Sequence, residues 1–237
     1  MRRSEAKSIK FFAFTLAEVL IVLGIIGIVA EMTIPTLMSK TRDAEMKAAW
    51  KTNYANIYQA YQMAKTDNGG DVSDFFSGAP DSQTVDPFFP MMESHLNVVQ
   101  TCSGASDYLL CDSASNVNLA SAYKTAAGTF LPKYDFFYHQ TKLNNGAILY
   151  YRFYTQADPL IFVDVNGYGK KPNVLGRDLF GAIITKDKII PMGAVNSGTE
   201  GTCVSTVVAA DASLPNGTYH VPTDISGAGC SSDYLYK

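Results

Sequence analysis

The chain has 237 residues, enough for one sizeable domain or two small ones. Charged residues make up only 17%, and the 14 tyrosines and 13 phenylalanines favour a sheet-rich protein over a disordered one. The formal net charge of −3 gives no electrostatic reason to expect binding to nucleic acid.

The first thirteen residues form a short basic segment. They hold Arg2, Arg3, Lys7 and Lys10 against Glu5, so removing them lowers the net charge of the chain from −3 to −6. An apolar stretch comes next, which includes the uninterrupted run VLIVLGIIGIVA. As a helix, residues 14–34 reach about 30 Å, the thickness of the hydrocarbon core of a bilayer. The sequence therefore predicts one membrane-spanning helix.

A cleavable secretory signal peptide also begins with basic residues and an apolar run, but two features oppose it. Cleavage after Ala30 needs a small residue where Ile28 stands. Glu18 lies inside the apolar run, where a carboxylate costs on the order of 2.5–3.5 kcal/mol near the centre of a membrane helix and less toward its end. Because such an acid needs a partner, we predict a functional role for Glu18.

The residues around this acid read A-F-T-L-A-E, from Ala13 to Glu18. Together with the basic leader and a later proline, they resemble the cleavage and methylation signal of type IV pilins and of the pseudopilins of type II secretion. The resemblance implies that a prepilin peptidase cuts between Ala13 and Phe14 and methylates the new amino group of Phe14. Pro35 then stands where the family commonly has a helix-breaking proline. Ala13 departs from the pattern, which usually has glycine before the cut.

In this family the N-terminal helices bundle in the core of a filament. The methylated amine of Phe14 is still a cation, so it offers Glu18 a countercharge on the same or a neighbouring subunit. Gly24 and Gly27 either allow close approach of helices or are simply tolerated within one. Pro35 removes a backbone hydrogen bond and permits a local kink.

The resemblance also implies a location and partners. Four basic residues precede the apolar run and four come closely after it, so their distribution does not decide the orientation. In the family the leader is cytoplasmic, one span crosses the bacterial inner membrane, and the C-terminal domain is periplasmic or extracellular. Expected partners are membrane lipid before assembly, the prepilin peptidase, an inner-membrane assembly platform, and a homo- or hetero-oligomeric filament of pilin-like subunits.

Residues 36–237 are predicted to be a soluble α+β domain. A heptad-like stripe predicts that the helix continues to about residue 66 and lies on a sheet. The stripe consists of Trp50, Tyr54, Ile57, Tyr61 and Ala64. Residues 67–140 are predicted to be a long variable loop. From about residue 145 to the end, the segments AILYYRFY, PLIFVDV, LFGAIITK and TCVSTVVAA predict an antiparallel sheet, which with the long N-terminal helix gives a pilin-like fold.

The four cysteines fall into two nearby pairs without the C-x-x-C spacing of zinc or redox motifs. The simplest of the three connectivities joins Cys102 to Cys111 and Cys203 to Cys230, and free buried thiols are the alternative. Disulfides require an oxidising compartment, which agrees with a domain outside the cytoplasm.

The segment FVDVNGYGKKPNVLGRD contains a candidate calcium site. Asp164, Asn166 and Asp178 supply the oxygen ligands that calcium prefers. The EF-hand pattern does not fit, because Tyr168 and Leu175 stand at two of its ligand positions. The alternative is a structural turn that reverses at Asn166, with Asp178 capping the next segment of the chain. Some secretion pseudopilins bind calcium in a loop near their sheet.

No catalytic constellation is evident in the sequence. The three histidines show no metal-binding spacing, and neither G-x-S-x-G nor a P-loop is present. We therefore expect no enzyme, and no cofactor other than the candidate calcium ion. The resemblance favours a structural subunit of a type IV pilus-like filament. The alternatives are a type II secretion pseudopilin that drives protein export, a minor pilin that binds DNA or a surface, and a single-span anchored domain that does not assemble.

Overall fold

The computed structural model describes residues 15–76, 88–103, 121–131, 139–154, 157–195, 203, 213–214, 217–218 and 226–236. The chain divides into two compact units, Met1–Asp43 and Ala44–Lys237. One helix, α1 (Leu16–Asp67), begins in the first unit and ends in the second.

The described part of the first unit is the apolar beginning of α1. Among the described residues α1 is the one helix that is long and apolar enough to cross a membrane, and none of its most apolar stretch is buried. Pro35 lies within α1, which is helical on both sides of it, so this proline does not end the helix.

The second unit contains a six-stranded antiparallel sheet in which each strand pairs with the next along the chain. Its strands are β1 (Val98–Ser103), β2 (His139–Leu143), β3 (Ile148–Tyr154), β4 (Ala157–Asp164), β5 (Leu179–Ile184) and β6 (Ile189–Pro191). The α+β class, with a long apolar N-terminal helix and an antiparallel sheet, is thus confirmed. The predicted runs AILYYRFY, PLIFVDV and LFGAIITK correspond to β3, β4 and β5.

Shorter elements complete the described part of this unit. They are a 3₁₀ turn (Ser73–Phe76), α2 (Phe88–Glu93), the paired strands β7 (Ser213–Leu214) and β8 (Gly217–Thr218), and α3 (Cys230–Tyr236). Most of the predicted strand TCVSTVVAA lies outside the described residues.

The predicted helix stripe lies on the sheet. Trp50, Ile57 and Tyr61 are buried in one core cluster with side chains of β3, β4 and β5. The indole N–H of Trp50 donates to the carbonyl of Ser231 at 2.8 Å, and its ring stacks on Phe180 with centroids 5.0 Å apart. Aromatic stacking contributes about 0.5–1.5 kcal/mol beyond the free energy of burying the apolar area. This contact therefore stabilises the packing of α1 on the sheet.

The central strands of the sheet are buried on both faces. On β3, Leu149 and Tyr151 face the α1 side, whereas Ile148 and Tyr150 belong to a second cluster with Tyr123. Strands buried on both faces have continuous apolar runs instead of alternating ones, and this makes β3 and β4 recognisable in the sequence.

The region predicted as a variable loop, residues 67–140, contributes more structure than expected. It supplies α2, whose side chains Phe88, Phe89 and Met92 are buried, and the edge strand β1. β1 is short and half-exposed, and it pairs with β2 across a long connection. Its sequence VVQTCS therefore lacks the apolar run that marks β3, β4 and β5.

Candidate functional site

Glu18 lies in the first turn of α1 and bonds with Thr15, the residue before the helix. The backbone N–H and the Oγ1 hydroxyl of Thr15 each donate to Oε2 of Glu18 at 2.8 Å. The backbone N–H of Glu18 donates to Oγ1 of Thr15 at 3.2 Å. This reciprocal arrangement is a capping box, in which an N-cap side chain and an acid three residues later satisfy the exposed N–H groups of a helix start.

The capping box was not predicted, although the T-x-x-E spacing of Thr15 and Glu18 is its sequence signature. It gives Glu18 a local role that needs no second subunit. It does not neutralise the carboxylate, because no ion pair among the described residues involves Glu18. Ala13 and Phe14 lie outside the described residues, so their cleavage and the pairing of Glu18 with the amine stay predictions.

The start of α1 presents a continuous apolar surface. Every large apolar side chain between Leu16 and Met38 is at least 44% exposed. Monomeric soluble proteins rarely expose apolar patches of this extent, and such patches mark contacts with membrane or with other chains. This surface can be buried by lipid or by other helices.

The two glycines in this surface are not required by the fold of the single chain. A Cβ atom added to Gly24 or Gly27 would meet no atom of the described residues within 4 Å. Glycine within a helix costs about 1 kcal/mol relative to alanine. If Gly24 and Gly27 allow close packing, the group that packs against them therefore comes from outside the described part of this chain.

In the second unit, the predicted calcium ligand Asp164 ends β4 and is completely buried. Its Oδ1 atom accepts the backbone N–H groups of Asn166 and Gly167 at 3.1 and 2.8 Å. Its Oδ2 atom accepts the hydroxyl of Tyr123 at 2.6 Å, and that hydroxyl lies 2.8 Å from the hydroxyl of Tyr150. Asp164 thus holds the turn after β4 and fixes two tyrosines of the second core cluster.

Asp178 plays a matching role at the other end of the loop. Its carboxylate accepts the backbone N–H groups of Asn173 and Val174 at 2.6 and 2.7 Å. Every carboxylate oxygen of Asp164 and Asp178 therefore already accepts a hydrogen bond from the chain. Nor do the described residues contain a group of three or more histidines, cysteines or acids able to hold a metal. The hydrogen bonds are those expected of the structural turn, and calcium ligation stays a prediction.

Burial changes the acidity of this loop. It raises the pKa of Asp164 to about 7, an effect that the Tyr123 hydroxyl opposes and the nearby Asp178 reinforces. Burial also raises the pKa of Asp178, although the hydrogen bonds from the backbone N–H groups of Val174 and Asn173 lower it. The third predicted ligand, Asn166, has a buried Oδ1 atom with no hydrogen-bond partner among the residues that the structure describes.

A buried acid that the sequence did not indicate is Glu93 of α2. Its Oε1 atom lies 2.7 Å from Nε2 of His139 and also accepts the hydroxyl of Thr141. The pair attaches α2 to β2 inside the protein. Glu93 and His139 are 46 residues apart, so no local spacing reveals them.

Cys203 and Cys230 form the predicted disulfide in the C-terminal part of the second unit. Gly176 lies against this bond, since a Cβ atom there would stand 2.7 Å from Sγ of Cys230. Cys102 is in β1, but Cys111 lies outside the described residues, so the pairing of these two cysteines stays a prediction.

The described part of the chain thus has two notable features. One is the exposed apolar surface at the start of α1, where Glu18 caps the helix. The other is a loop whose two acids accept hydrogen bonds from the loop itself. No family model, curated protein or solved structure matches the chain.

Proposed function

We propose that this chain is a structural subunit of a type IV pilus-like filament. In this proposal it enters the bacterial inner membrane as a single-pass precursor with its C-terminal domain on the periplasmic side. A prepilin peptidase then cuts between Ala13 and Phe14, and the mature protein assembles through the apolar part of α1.

The observation that carries the proposal is the exposed apolar surface of α1 between Leu16 and Met38, with Glu18 near its start. An anchored domain that does not assemble would also need an apolar helix and would use Glu18 as a cap, but capping does not require the charge of the acid. The capping box satisfies backbone donors and leaves the charge of Glu18 without a counterion among the described residues. A new amine at Phe14 supplies that counterion at the correct end of the helix.

A pseudopilin of type II secretion would share this N-terminal signal. The feature that favoured that alternative was the loop containing Asp164 and Asp178, interpreted as a calcium site. Both carboxylates accept hydrogen bonds from the chain itself, which gives the loop a structural role without calcium, so the loop adds no independent support to that alternative. The filament subunit therefore remains our first choice.

Mass spectrometry of the protein extracted from membranes tests the processing step. We expect a mature chain that begins with N-methylated Phe14. An intact Met1 would contradict the proposal, and so would a terminus near Glu31, which would indicate a secretory signal peptidase.

A further inference from the structure

A cleft of about 160 Å³ opens on the second unit between α1, the turn before β1 and the turn that joins β2 to β3. Carboxamide side chains dominate its wall. They belong to Asn56, Gln59, Asn97, Asn144 and Asn145. Three separate segments of the chain contribute them, so they converge through the tertiary fold.

One of these amides is used by the fold. Asn145 donates from Nδ2 to Oδ1 of Asn53 at 2.9 Å and accepts the backbone N–H of Ala147 at 3.0 Å. It thereby ties the turn between β2 and β3 to α1. This residue is structural.

The other four amides do not tie segments of the fold together in this way. Within the part of the chain that the structure describes, the side chains of Asn56, Gln59, Asn97 and Asn144 make no hydrogen bond. Each carboxamide carries two donors and an acceptor oxygen. The cleft therefore presents several unused donors and acceptors side by side.

The rest of the wall is apolar or neutral. Met63 is half-exposed, and Leu96 and Leu143 add aliphatic surface. Of the described residues that line the cleft, none is Asp, Glu, Lys or Arg. Its one titratable side chain, His95, lies 2.8 Å from the carboxylate of Asp67.

This chemistry selects among ligand classes. A phosphate or a carboxylate ligand calls for cationic side chains, and a metal ion calls for carboxylates. A sugar ring has hydroxyl groups that both donate and accept, and it has an aliphatic face formed by its C–H bonds. The cleft, at about 160 Å³, has the size to take a single ring.

We propose that this cleft binds a neutral sugar residue of a glycan. The amides bond its hydroxyl groups, and Met63 with its aliphatic neighbours covers one face of the ring. The proposal does not depend on filament assembly, so a failed assembly experiment leaves it standing.

The test is a titration of the full chain in a detergent without a sugar head group, monitored by NMR of the side-chain NH₂ groups. The probes are the methyl glycosides of glucose, galactose and N-acetylglucosamine at millimolar concentrations. We expect saturable shifts of the Asn56, Gln59, Asn97 or Asn144 NH₂ signals with at least one sugar. No saturable shift with any of them, or saturation only by a neutral tripeptide, would overturn the proposal.

Variants locate the binding. The double variant Asn56→Ala with Gln59→Ala should weaken the binding of the sugar by about tenfold or more, because two hydrogen bonds are lost. Both side chains are exposed, so the backbone spectrum should stay unchanged. The control variant Lys51→Ala alters another exposed position of α1, outside the cleft, and should bind as the wild type does. Equal affinity of the double variant and the wild type would overturn the assignment.

Discussion

Thr15 and Glu18 hold each other through three hydrogen bonds at the start of α1. The acid thus serves the helix of a single chain, whatever else it does in an assembly. If Glu18→Ala failed to form filaments, the cause could be either the lost helix cap or the lost charge. Glutamine separates them, because it completes a capping box without carrying a charge.

We expect Glu18→Gln and Glu18→Ala both to be processed at Phe14 and both to fail to form filaments, since neither can pair with the amine. Mass spectrometry reports the processing, and electron microscopy of sheared cell-surface material reports the filaments. The matched control is Thr15→Ala, which removes the cap at a cost of about 1 kcal/mol and keeps the charge, so filaments should still form. Normal filaments from Glu18→Gln would mean that only capping matters.

The raised pKa of Asp164 predicts a dependence of stability on pH. The folded pKa of about 7 exceeds the ordinary value of 3.8, so the folded state binds more protons than the unfolded state between these values. The free energy of unfolding should therefore fall as pH rises from about 4 to about 7 and then level off. The fall should be on the order of a few kcal/mol at most.

Thermal unfolding across this pH range measures the effect. In Asp164→Asn the decline should be smaller, because the amide oxygen still accepts the backbone N–H groups and nothing titrates. Asp187→Asn, at an exposed acid, is the control and should keep the decline. An unchanged decline in Asp164→Asn would show that another group is responsible.

Calcium should not stabilise the second unit. All four carboxylate oxygens of Asp164 and Asp178 already accept hydrogen bonds from the chain, and a cation would have to compete with these donors for the same oxygens. We expect the same unfolding midpoint of the full chain in excess calcium and in chelator. If calcium raises the unfolding midpoint of the wild type but not that of Asp178→Asn, the loop is a metal site after all.

The disulfide between Cys203 and Cys230 should contribute to stability, since it closes a loop with a sequence separation of 27. Replacing both cysteines with serine should lower the free energy of unfolding by about 2–4 kcal/mol, chiefly by freeing the unfolded chain. Denaturant unfolding with and without a reducing agent measures this. Reduction should affect the double variant less than the wild type, and an equal effect would point to another bond.

Much of the fold could be predicted because its signals are local. The heptad-like stripe of Trp50, Ile57 and Tyr61 predicted the buried face of α1, and the apolar runs predicted β3, β4 and β5. The strands β1 and β2 were missed because neither has the apolar run that makes β3, β4 and β5 recognisable. β1 is a half-exposed edge strand, and β2 carries buried polar side chains.

The partners of the buried acids could not be predicted. Asp164 meets Tyr123 across 41 residues and Glu93 meets His139 across 46, and neither spacing corresponds to a helical or strand period. The same holds for the amides of the cleft, which lie on a helix and two turns.

The sequence by itself determined that this chain has an apolar helix with one acid near its start and then an α+β domain, because hydropathy and periodicity are properties of neighbouring residues. Only the tertiary structure decided which polar groups meet. It showed that Asp164 and Asp178 accept hydrogen bonds from their own loop and that Glu93 is buried against His139. It also showed that four amides around one cleft make no side-chain hydrogen bond within the described part of the chain. Such contacts depend on how distant segments pack, and that packing is specified by the whole core instead of by any one stretch of sequence.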